Sequence, residues 1–162
     1  MKYITGSVAI VAVLALAAST GAQQLLKGSD QREIKAEVVM KDKTFHITQG
    51  GDTKGLMLMA GTRADISLRN EDTVAHEFVS TLLYNLPFAM SGSGTFVKVP
   101  KAAGVRVDPG QTVVLSFDVP YDGKEFQHIY EVFWCNVHGI KHGDTMRGEV
   151  LIVDQRGEVG GA

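Results

Sequence analysis

The chain has 162 residues, 44% of them hydrophobic, with 16 Lys and Arg against 18 Asp and Glu and a formal net charge of -2. That length fits one domain with one core, and near-neutral charge without basic clusters or long like-charge runs argues against a nucleic-acid or polyanionic partner. A single cysteine, Cys135, excludes any disulfide within the chain.

The first segment reads as an address. Lys2 supplies a positive start, Val8 to Ala18 is apolar but short for a membrane span, and Thr20 and Ala22 offer small side chains to a signal peptidase. Residues 1–22 are therefore expected to be an export signal, either cleaved or kept as an N-terminal anchor, which places the mature protein in the periplasm or on the outer face of the cell envelope. The remainder has 15 Lys and Arg against 18 Asp and Glu. Residues 23–34 are polar without periodicity and predict a flexible lead-in, the folded domain is expected over 35–155, and 156–162 reads as a flexible tail.

Within that domain, short runs rich in β-branched, aromatic and apolar residues follow one another: Lys35–Met40, Thr44–Thr48, Gly55–Ala60, Ala64–Leu68, His76–Leu82, Val113–Val119, His128–Trp134 and Arg147–Val153. Gly50-Gly51, Asn70-Glu71-Asp72, Pro109-Gly110 and Asp122-Gly123 punctuate them as turns. About eight strands without a convincing helical period predict an all-β, antiparallel sandwich or barrel. Between Tyr84 and Val107, Pro87, Ser91-Gly92-Ser93-Gly94, Pro100 and Gly104 predict a long loop. Met57 and Met59 lie two apart on one strand, and with Met40 and Met90 they are expected to pack in the core.

The chemistry concentrates near the C-terminus, in Trp134-Cys135-Asn136-Val137-His138-Gly139-Ile140-Lys141-His142-Gly143-Asp144-Thr145-Met146-Arg147-Gly148. A thiol in an oxidising compartment with no disulfide partner is buried, joined to another chain or bound to something. Here two imidazoles and a thioether share its loop, between the end of one apolar strand and the start of the next. Two His, one Cys and a long axial Met form the trigonal arrangement that suits copper as a one-electron carrier. The loop can present at most three of these four ligands sensibly, so a second imidazole must come from elsewhere. His76, opening an apolar strand directly after the Asn70-Glu71-Asp72 turn, is the natural supplier.

A strand ending in Asn70-x-Asp72, a histidine shortly after, the Pro109-Gly110 turn before another strand, and a Cys135-x-x-His138 loop closed by Met146-x-Gly148 together resemble the cupredoxin family, as in plastocyanins and azurins. The resemblance spans roughly residues 37–154. It implies a Greek-key β-sandwich with one mononuclear copper site at one end, held by His76, Cys135, His138 and Met146. The second imidazole has an alternative: His138 has the plastocyanin-like spacing from Cys135, whereas His142 has the azurin-like spacing to Met146, and His138 is favoured. Glu77 stands where many members place Asn. The implied function is electron transfer between redox protein partners, as a monomer with no small-molecule substrate.

Two other classes compete. Enzymes that contain such domains couple them to a second copper through histidines beside the cysteine, and here the neighbours are Trp134 and Asn136; a binuclear centre would need two cysteines. No enzymatic activity is therefore expected. The runner-up is a copper-binding module for Cu(I) delivery, sequestration or sensing.

Overall fold

The computed structural model describes residues 30–121, 129–138 and 146–154. The expected signal over 1–22, the end of the expected domain at 155 and the tail over 156–162 lie outside the described residues, as do His128 and His142.

Eleven strands are present among the described residues: β1 (Asp30–Lys41), β2 (Thr44–Gln49), β3 (Gly55–Met59), β4 (Thr62–Asn70), β5 (His76–Ser80), β6 (Ala89–Gly92), β7 (Gly94–Val99), β8 (Ala102–Val107), β9 (Thr112–Asp118), β10 (Ile129–Trp134) and β11 (Arg147–Val153). A 3-10 turn, Leu82–Tyr84, follows β5. The strands form two sheets, one of five in the order β2-β1-β4-β9-β6 and one of six in the order β3-β11-β10-β5-β8-β7. The fold is thus an all-β sandwich, as expected, with more strands than the eight anticipated. It is also mixed rather than purely antiparallel, because β1 runs parallel to β4 and β3 parallel to β11.

Alternation explains the first sheet. In β4, Thr62, Ala64, Ile66, Leu68 and Asn70 are buried while the residues between them are only partly covered, and in β9 Val113, Leu115 and Phe117 face the same core. Those apolar faces meet Phe45, Phe78 and Phe133; Phe78 stacks on Phe133 with ring centroids 4.8 Å apart, and Phe45 lies 5.5 Å from Phe133. Offset aromatic contacts of this kind add to the burial of the rings themselves.

Three expectations need correction. Residues 30–34, read as flexible lead-in, belong to β1, where Ile34 pairs with Ala64 and packs against the core; backbone pairing extends the strand beyond the point where its apolar pattern stops. The segment from Tyr84 to Val107 is not a long loop but carries β6, β7 and β8. Gly104 there is required rather than disruptive, since a Cβ would come within 1.8 Å of the Phe78 carbonyl oxygen on the paired strand. Finally, Met40 is buried, but Met57 is 56% and Met90 38% exposed, because Leu56 and Leu58 take the inward face of β3 and β6 lies at a sheet edge.

Strand β5 is buried along its whole length. It lies between β10 and β8 in the six-stranded sheet and contacts the Leu82–Tyr84 turn, and its first residue, His76, is buried and paired with Val107.

Candidate metal centre

The site is built where β5 begins and β10 ends. These two strands share only the rungs Phe133 with Ser80 and Trp134 with Val79. Beyond the last rung the chain turns at Cys135, and the Glu77 backbone N–H donates to Cys135 Sγ at 3.3 Å, continuing the contact where the ladder stops. On the other side the Cys135 N–H donates to the Met146 carbonyl at 2.8 Å, which ties the two ends of the 136–145 segment together.

The turn before β5 is fastened by Asn70, a buried residue whose side chain uses both its donor and acceptor atoms. Its Nδ2 donates to the Val74 carbonyl at 2.8 Å and the Val107 carbonyl at 2.9 Å, while its Oδ1 accepts from the Asp72 N–H at 2.9 Å. Asn70 thereby fixes residues 71–75 against β8 and sets the position from which His76 enters the site.

His76 and Cys135 are fully buried and His138 is half-buried. Cys135 Sγ lies 3.4 Å from His138 Nδ1 and 3.8 Å from His76 Nδ1, and the two Nδ1 atoms are 3.0 Å apart. Three of the residues singled out in the sequence are thus brought together although 59 positions separate His76 from Cys135. Met146 is also buried, in the same core cluster as Cys135. His142, the alternative to His138, lies outside the described residues.

Asp72 decides the protonation pattern. Its Oδ1 accepts from the Asp42 N–H at 2.7 Å, and its Oδ2 accepts from the Lys43 N–H at 2.9 Å and lies 2.6 Å from His76 Nε2. Burial pushes its carboxyl up, but the hydrogen bonds from Lys43, His76 and Asp42 outweigh that and hold it below the usual carboxylate range. A carboxylate that already accepts two backbone N–H groups acts as the acceptor in the 2.6 Å contact too, so His76 Nε2–H donates to Asp72 and Nδ1 is the ring atom that faces Sγ and His138. The sequence showed Asp72 only as a turn residue; its place four residues before His76 was the available sign.

This donor set fits a metal ion. The point equidistant from corners 3.0, 3.4 and 3.8 Å apart lies about 2.0 Å from each, which matches the bond of about 2.0–2.1 Å that an ion such as zinc makes to imidazole nitrogen, while the longer bond to sulfur, about 2.3 Å, is met by an ion slightly farther from Sγ. A soft thiolate with two imidazoles favours copper or zinc over harder ions. Glu77 adds an unusual feature, for its Oε2 is buried and finds no hydrogen-bond partner among the described residues.

The chain is thus a two-sheet β-sandwich with a His-Cys-His group set between the start of one strand and the end of its neighbour in the six-stranded sheet, the arrangement implied by the resemblance noted in the sequence. No family model matches the chain, and no curated protein matches it by sequence. Similar solved structures include the McoA multicopper oxidase of the hyperthermophile Aquifex aeolicus, at 14% identity and a TM-score of 0.49, over 76% of this chain and 29% of that one. Auracyanin A, a "blue" copper protein of the green thermophilic photosynthetic bacterium Chloroflexus aurantiacus, is similar at 15% identity and a TM-score of 0.47, over 75% of this chain and 99% of that one. Reduced rusticyanin is similar at 14% identity and a TM-score of 0.46, over 76% of this chain and 81% of that one. The chain therefore spans less than a third of the oxidase.

Proposed function

We propose that this protein binds one copper ion through His76, Cys135 and His138, with the Met146 thioether as a fourth ligand, and carries single electrons between redox protein partners outside the cytoplasm. The observation that carries the reading is the convergence of one sulfur and two imidazole nitrogens, mutually within 4.8 Å, on a rigid strand end. Bound copper would supply reversible one-electron exchange.

The residues around it supply the rest. His76 and Cys135 are buried in a close-packed region, which excludes water and limits rearrangement of the ligands. The Glu77 N–H on Sγ orients the sulfur and offsets negative charge on a thiolate. His138 is the one of the three that reaches towards solvent, and Val137 beside it is 47% exposed, so an electron would leave along the His138 ring and a partner would find an apolar contact there. Nothing in this scheme needs a substrate pocket, and no catalysis is proposed.

The test is a visible absorption spectrum of the purified protein on addition of Cu(II), repeated with Cys135→Ser. An intense band in the wild type that vanishes in the variant is the expected result. A protein that stays colourless yet binds Cu(I) would overturn the carrier reading in favour of copper delivery or storage.

A further inference from the structure

Asp72 lies outside the donor set but engages it directly. Both of its oxygens are occupied by three donors, two of them backbone N–H groups of the Asp42-Lys43 turn. Asp42 and Lys43 both sit at φ 53°, a left-handed conformation that non-glycine residues adopt at a cost. The carboxylate that receives their N–H groups therefore ties the β1–β2 turn to the metal centre through a single side chain.

We propose that Asp72 is a positioning residue for the metal centre, holding His76 with Nδ1 bare and biasing a bound copper towards its higher oxidation state; this rests on the copper reading above. Two physical effects support it. The His76 ring is fully buried, so without Asp72 its Nε2–H would lose its acceptor, and the proton could move to Nδ1, where it would block the donor atom. In addition, a carboxylate on the far nitrogen makes the imidazole a stronger donor and places a negative charge one ring away from the ion. That charge attracts a doubly charged ion more than a singly charged one.

The experiment uses the full chain, the wild type and the variants Asp72→Asn and Asp72→Ala. In metal-free protein, nitrogen NMR of the His76 ring is expected to show the proton on Nε2 in the wild type and a redistribution towards Nδ1 in Asp72→Ala. In copper-loaded protein, Asp72→Asn is expected to weaken Cu(II) relative to Cu(I) about tenfold, a potential about 59 mV more positive. A wild-type ring protonated on Nδ1 would overturn the proposal even if neither variant folds. So would variants with a lower unfolding midpoint but unchanged tautomer and potential, since Asp72 would then merely hold the β1–β2 turn. A wild type that binds no copper would instead sink the copper reading, with the metal-free NMR arm still deciding what Asp72 does to His76.

Discussion

Replacing Asn70 with alanine tests whether the metal centre is held by the fold around it or by local contacts alone. The side chain makes three hydrogen bonds, to Val74, Val107 and Asp72, and is 1% exposed. Each such bond contributes about 0.5–1.5 kcal/mol net, and the orphaned carbonyls of Val74 and Val107 add to the loss where water cannot reach them. Asn70→Ala should therefore cost about 2–4 kcal/mol, a large part of the roughly 5–15 kcal/mol that separates a folded domain from its unfolded chain. Urea denaturation gives the loss directly from the shift in midpoint at constant slope. Asn70→Asp separates hydrogen bonding from packing: it keeps the shape and the Asp72 contact but sets a carboxylate against two carbonyl oxygens. It should be at least as damaging at neutral pH as the alanine. A loss below about 1 kcal/mol for Asn70→Ala, or an Asn70→Asp variant as stable as wild type, would refute the reasoning.

Gly104→Ala should destabilise the domain by about 3 kcal/mol or more, because the new Cβ would meet the Phe78 oxygen and the Val79 Cα, both backbone atoms, and the β5–β8 rungs must shift; a midpoint shift worth less than about 0.5 kcal/mol would count against it. Asp65 provides the acid-stability test. A hydrogen bond from the Ser116 hydroxyl holds its carboxyl below the usual range against the opposing effect of burial, with Glu33, Arg63 and Lys35 adding smaller contributions in the same direction as Ser116. Its pKa is lower folded than unfolded, so it contributes stability that is fully present above about pH 4 and is lost as the pH falls below that. The stability gap between wild type and Asp65→Asn should accordingly narrow between pH 6 and pH 3, and a constant or widening gap in urea midpoints would show that Asp65 does not act this way.

Strands with one clean face could be read from the sequence. Alternation in β4 and β9 marks their inward residues, and β11 stands out by the apolar run from Val150 to Val153 before Asp154. Strand β8 escaped for the opposite reason: Ala102, Ala103, Gly104 and Val105 are buried on both faces, so no alternation exists to find, and Gly104 mimics a break while serving as a close contact. Edge strand β6 is exposed throughout, with little apolar signature of its own. At the centre, His76, Cys135 and His138 were legible because their chemistry is rare and the last two are three residues apart. Asp72 was not, because its role depends on a turn 29 and 30 residues earlier that only folding brings to its side.

The order β3-β11-β10-β5 places a strand from late in the chain inside the six-stranded sheet rather than at its rim. During synthesis β3 emerges nearly a hundred residues before β11, its neighbour in the sheet, and must wait unpaired along that edge. β11 is also the strand that follows Met146, whose carbonyl clamps Cys135. Closing the sheet and assembling the sulfur side of the centre are therefore one late event. A nascent or truncated chain lacking residues 146–153 would leave Cys135 without that clamp and β3 with an open edge, exposed to wrong pairing and unable to present its thiol in the finished geometry.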